Sequence, residues 1–115
     1  MPEFEVVWHS LVAQLNAERR PSEASLRLAK NIVGRLDGTC KFPTHLFVGY
    51  WPTTILSWED EHVELEVFDD SFELGDYNVP TGEIWRLIEY SEPLEQSLPK
   101  LLNDIRTLMV ANKSS

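Results

Sequence analysis

From Phe4 onward apolar residues recur at helical spacing. Phe4, Val7, Trp8, Leu11, Val12 and Leu15 share one stripe, which predicts an amphipathic helix over residues 3–18. Pro21-Ser22 then restarts the chain, with Ser22 as N-cap and Glu23 in the first turn against the helix dipole. Leu26, Ala29, Ile32, Val33 and Leu36 form the buried stripe of this second helix, Arg27, Lys30 and Arg35 fall off it toward solvent, and Gly38 supplies its C-terminal stop. From Lys41 to Tyr90 the period changes to two. "HLFVGYW" predicts one strand, bent or ended by Pro52, and "TILSW" a second. "HVELEVF" places Val63, Leu65 and Val67 on one face and His62, Glu64 and Glu66 on the other. "SFELGDY" and "EIWRLIEY" complete the set, with "NVPTG" as a turn between them. The short links "EDE" and "DDS" point to antiparallel hairpins, although neither contains the Gly favoured in tight ones. Ser91 reads as a cap with Pro93 in a first turn. Pro99 places the start of the main C-terminal helix near Leu98, with Leu98, Leu101, Leu102, Ile105, Leu108 and Met109 as its stripe. The expected fold is a single α+β domain over residues 1–115, ordered ααββββα. An antiparallel sheet of about four to five strands carries two N-terminal helices and one C-terminal helix on one face.

Composition alters this picture in one respect. Four Trp and 43 % hydrophobic residues suit a folded globule and exclude a disordered acidic tail. No apolar run approaches the ~20 residues that span a bilayer, and "MPEFEVVWHS" lacks the basic region and apolar core of a signal peptide. Cys40 is the single cysteine, so no intramolecular disulfide forms; a cytoplasmic location is expected. The net charge of −9 is unevenly spread. Residues 1–58 carry five acids and six bases, and residues 96–115 one acid and three bases. Residues 59–95 carry thirteen acids and only Arg86. Such a balance disfavours direct binding to nucleic acid or to an anionic membrane and favours a cationic partner or a metal, or simply solubility.

The block is densest in "WEDEHVELEVFDD", where seven carboxylates occupy thirteen positions without Lys or Arg. One reading is the solvated outer face of a half-buried sheet, its charge discouraging edge-to-edge aggregation. The other is an electronegative surface for a basic partner, formed by Glu59, Asp60, Glu61, Glu64, Glu66, Asp69, Asp70 and Glu73. An ordinary soluble surface mixes charge signs, and like charges opposite one another in a sheet cost stability. His62, Glu64 and Glu66, joined by Glu59 or Asp60, have spacing that would permit a divalent ion. Any H-x-E-x-E strand looks the same, so the reading adopted is a face without metal. Cys40 with His45 has no nucleophile–base signature, and no phosphate loop or hydrolase motif occurs, so no catalytic residue and no cofactor is assigned. Tyr50 and Trp51 flank Pro52 at an expected loop, where an exposed aromatic pair suits an interface anchor; Trp58 suits the core.

"RRPSEASLRLAKNIVGRLDG", "FPTHLF" and "ILSWEDEHVELEVFDDSFEL" together resemble a group of short, largely uncharacterised bacterial and phage proteins. Their pattern is a Pro-Ser-capped helix, a Pro-led strand and a hairpin of the form L-x-W followed by L-E-x-E. The matching positions are Pro21, Ser22, Ala29, Pro43, Leu56, Trp58, Leu65, Glu66 and, less strictly, Glu64. The chain departs from the pattern in having "LNAERR" before the helix and no glycine in the hairpin turn. The resemblance implies an accessory partner, in some cases of toxin-type nucleases, and not an enzyme.

The functional expectation is a non-enzymatic acidic binding protein that inhibits a basic, nucleic-acid-handling partner such as a nuclease complex. An antitoxin and a phage anti-defence inhibitor such as an anti-CRISPR protein are its two biological forms. The alternative is a self-associating structural or regulatory module, a homodimer joined through the Tyr50–Trp51 corner or the C-terminal Leu stripe. An enzyme stands third.

Overall fold

Helical and alternating segments follow one another in the order α1 (Glu3–Val12), α2 (Glu23–Leu36), β1 (His45–Val48), β2 (Thr54–Trp58), β3 (Val63–Val67), β4 (Phe72–Asp76), β5 (Arg86–Glu89) and α3 (Leu94–Ala111). The computed structural model describes residues 3–15, 18–36, 38, 40–77 and 86–111, with Arg86 described in its backbone alone. "NVPTG" and residues 83–85 of the expected last strand lie outside the described residues. The strands form a five-stranded antiparallel meander in chain order. This is the α+β fold expected from the sequence, with the sheet at five strands.

Register builds the core. Leu46, Leu56, Leu65, Leu74 and Ile88 lie opposite one another across all five strands, flanked by Val67 and Phe72 on one side and by Trp58 and Val63 on the other. Helices pack on this inward face: α1 against β1, α2 against β2 and β3, and α3 against α2. Ala29, Ile32, Val33, Leu36, Leu101 and Ile105 are fully buried there. Removing one such large side chain from water is worth about 1.5–3 kcal/mol. The Trp58 indole donates its N–H to the Lys41 carbonyl at 2.9 Å, so its one polar atom is satisfied inside the core.

β1 stops at Val48, short of the expected "HLFVGYW", and three further boundaries differ from the expected ones. α1 ends at Val12 and not at residue 18, because the next turns tighten: Gln14 and Leu15 donate to the carbonyls three residues back. Gln14 then turns to β1, donating to the Thr44 carbonyl and accepting from the Leu46 N–H. α3 begins at Leu94, four residues before the expected Leu98, and carries Pro99 in its interior. The Pro93 carbonyl accepts the Ser97 N–H, so Pro93 and not Ser91 stands at the N-cap position. Proline removes one helical donor, and Pro99 sits on the exposed side, where water can satisfy the freed carbonyl. The third is His62, which leaves the strand and takes a left-handed φ of 57° in the β2–β3 turn. It thereby supplies the conformation for which glycine was missing. Gly38, at φ 77°, is the expected stop of α2.

A candidate protein-binding face of the sheet

Because the helices cover one side, the alternate strand positions form an open face. Across it one row reads Phe47, Ile55, Glu66, Glu73, Glu89, and the next His45, Ser57, Glu64, Gly75, Leu87. Three glutamates therefore stand directly opposite one another on β3, β4 and β5, with Glu64 beside them. Among the described residues no Lys or Arg lies within ion-pair distance of any of the four. Burial raises the Glu64 carboxyl above its ordinary range, and the charge of Glu66 adds to it. Glu73 is raised by burial first, then by the charges of Glu89 and Glu66. Glu66 is anchored by Thr53, whose hydroxyl donates to it at 2.6 Å. That contact presses against Gly49: a Cβ there would collide with Thr53 Oγ1 and come within 3.0 Å of Glu66 Oε2.

The carboxylates of the two turns behave differently. Asp60 and Glu61 meet Lys41, a residue outside the acidic block, at 3.5 and 3.0 Å. Glu61 is buried, and its hydrogen bond is the main cause that raises the Lys41 ammonium above its usual value. Glu59 stands 3.5 Å from His45 Nδ1. At the opposite end of the meander, Asp69 accepts the Ser22 hydroxyl at 2.5 Å, while Asp70 is exposed. The absence of Lys and Arg from the stretch thus does not leave Asp60, Glu61 and Asp69 unpartnered, because residues from outside it reach them. Among the described residues, Glu64, Glu73 and Glu89 have no Lys or Arg within ion-pair distance. Glu89 was not among the expected site residues, since only the β4–β5 register brings it opposite Glu73.

Tyr50 and Trp51 stand out at the β1–β2 loop, 79 % and 70 % exposed, their rings edge to face at 4.8 Å. The loop beneath them is fastened. Arg19 donates to the Gly49 carbonyl at 2.8 Å, Ser22 N donates to the Pro52 carbonyl at 2.8 Å, and Gly49 N closes on the Thr53 carbonyl at 2.9 Å. Ser22 is also the N-cap that was expected, accepting the Ser25 N–H at 3.1 Å. One residue therefore ties the start of α2 to both hairpin tips. Cys40 is half-buried, and burial raises its thiol above the usual range, which opposes thiolate chemistry.

His62, Glu64 and Glu66 do not share one strand face, because His62 belongs to the turn. Among the described residues no group of three His, Cys, Asp or Glu is arranged to hold a metal ion. Nor is any helix among them long and apolar enough to cross a membrane. No family model matches the chain, and neither a curated protein nor a solved structure matches it.

Proposed function

We propose that the protein is a non-enzymatic binding protein whose open sheet face docks on a basic, nucleic-acid-handling partner and inhibits it. The observation that carries this reading is the cross-strand row Glu66–Glu73–Glu89, with Glu64 beside it and, among the described residues, no Lys or Arg within ion-pair distance. Like charges directly opposite each other in a sheet are destabilising. An arrangement that costs stability and is left open to solvent suits a surface completed by a cationic partner. Fixed on a rigid sheet, such carboxylates compete for a groove that otherwise takes phosphates. The two biological forms considered for such a role are a phage anti-defence inhibitor, such as an anti-CRISPR protein, and an antitoxin.

The test is capture of partners by the purified protein at ~50 and ~500 mM salt, compared with Glu73→Lys/Glu89→Lys. The nuclease or nucleic-acid-binding activity of whatever is captured is then assayed with the protein added. The expected result is a salt-sensitive partner, bound ~10-fold or more weakly by the double variant and inhibited by the wild type. A double variant that keeps every partner with undiminished affinity, or a captured partner whose activity is untouched, refutes the proposal.

A second reading is self-association through the Tyr50–Trp51 corner, favoured by the fastened loop that presents both rings. A concentration-dependent sedimentation coefficient that Trp51→Ala abolishes would establish it.

A further inference from the structure

Beside the glutamate row, toward the β2–β3 turn, the open face is concave. A groove of about 380 Å³ lies there. Phe47 and Tyr77 supply its aromatic walls, Glu59 and Glu64 its carboxylates, and His45 and His62 are also among its lining residues. Its size falls within the range of sites that take a small ligand or one long side chain, ~300–1,000 Å³.

We infer that this groove receives an arginine side chain of the basic partner; the inference rests on the reading of the open face given above. The chemistry selects the guanidinium step by step. An anion would meet Glu59 and Glu64, with Glu66 and Glu73 close by on the same face. A neutral apolar group would leave the half-buried Glu64 carboxylate against it without compensation. A metal ion lacks a suitable donor set among the described residues. A cation remains, and the walls favour a flat one. Phe47 and Tyr77, each 41 % exposed, offer ring surface to a guanidinium, which stacks on aromatic faces and forks onto carboxylates with paired N–H donors. A lysine ammonium satisfies the charge but not the flat contact. The desolvation that raises Glu64 works in the same direction, because a bound cation restores to that carboxylate the stabilisation water no longer gives it. The Tyr77 phenol is likewise raised, by burial and then by the charges of Glu64 and Glu66, so its ring stays neutral beside them.

The experiment is a titration with octa-arginine and octa-lysine at ~50 mM salt, read by backbone amide NMR shifts and by calorimetry. Wild type, Glu64→Gln, Tyr77→Leu, Phe47→Leu and the distant control Glu95→Gln are compared. Octa-arginine is expected to shift the amides of His62, Glu64 and Tyr77 and to bind at least 3-fold more tightly than octa-lysine. Glu64→Gln and Tyr77→Leu should each weaken octa-arginine at least 5-fold, while Glu95→Gln leaves it unchanged and octa-lysine responds little to Tyr77→Leu. The inference is overturned if octa-arginine fails to bind the wild type, if its shifts fall elsewhere, or if the groove variants bind it as the wild type does. Should Tyr77→Leu fail to fold, Glu64→Gln and Phe47→Leu decide the outcome alone. The two proposals fail separately. If partners lost by Glu73→Lys/Glu89→Lys are kept by groove variants that also bind octa-arginine normally, the groove fails and the face stands. If octa-arginine behaves as expected and no partner is captured, the groove stands and the proposed function fails.

Discussion

Replacing Glu73 by Gln should make the protein more stable, and the register sets the size of the gain. Glu73 faces Glu66 on one side and Glu89 on the other. Each opposed like-charge pair costs ~0.2–1 kcal/mol, and Coulomb's law for two unit charges ~6 Å apart in water gives about 0.7 kcal/mol. Glutamine removes both repulsions and can donate its amide to either neighbour. Solvent around the outer face screens the pairs, so the expected gain is about 0.5–1 kcal/mol. For 115 residues at ~2.1 cal/mol/K per residue, one kcal/mol moves the midpoint by about 4 °C, so Tm should rise by ~2–4 °C. The pH dependence has a definite sign. The folded Glu73 carboxyl is raised, so ionised Glu73 opposes folding above that raised value. The penalty fades as pH falls through it toward the ordinary ~4.3. Wild-type and variant melting curves should therefore lie furthest apart near neutral pH and converge in mild acid. The assay is thermal unfolding followed by circular dichroism from pH 7.5 to 4.5, at ~20 mM and ~500 mM salt. A variant that melts at or below the wild type at low salt refutes the reasoning, as does a gain that high salt leaves undiminished. A more stable variant that also loses its partner would show that the repulsion is retained for binding.

Leu65→Ala, at the centre of the inward row, should cost about 2–5 kcal/mol by chemical denaturation; an unchanged midpoint would mean the wrong face was assigned to the core. Ser22→Ala removes the N-cap bond to the Ser25 N–H and the tie to Asp69 and should cost about 1–2 kcal/mol, with a loss under ~0.3 kcal/mol counting against the role given to it. Stability should fall above pH ~10. The Tyr90 phenol is raised by burial and by its hydrogen bond to Asp104, so the unfolded chain ionises first. Raised Lys41 acts in the same direction: its contribution is full below its unfolded value and is lost as pH rises through the folded one. Tyr90→Phe should flatten the alkaline slope, and an unaltered slope would contradict this account.

Periodicity determined which segments are helices and which are strands. Helical spacing around Trp8, Ile32 and Leu101 and alternation around Leu65 each follow from the need to bury one side of a helix or strand. Ser22 and Gly38 mark their boundaries by backbone chemistry that acts over a few residues, and so they were legible too. The same locality explains the misses. Pro99 reads as a start signal only if the chain is taken one turn at a time. The start at Leu94 needs the Ser97 hydroxyl and N–H fixed on the preceding carbonyls of Glu92 and Pro93. The acidic block was legible as charge but not as geometry, because a sequence gives the number of carboxylates and not their neighbours. Lys41 reaches Glu61, and Ser22 reaches Asp69, only once distant segments have packed. Strand register places Glu89 opposite Glu73, and the sheet brings Phe47 of β1 into the groove that Tyr77 lines from β4's end. Sliding one strand by a single residue would exchange its inward and outward sides. That long-range choice, and not the composition, decided which glutamates meet solvent as a row and which are spent inside the molecule.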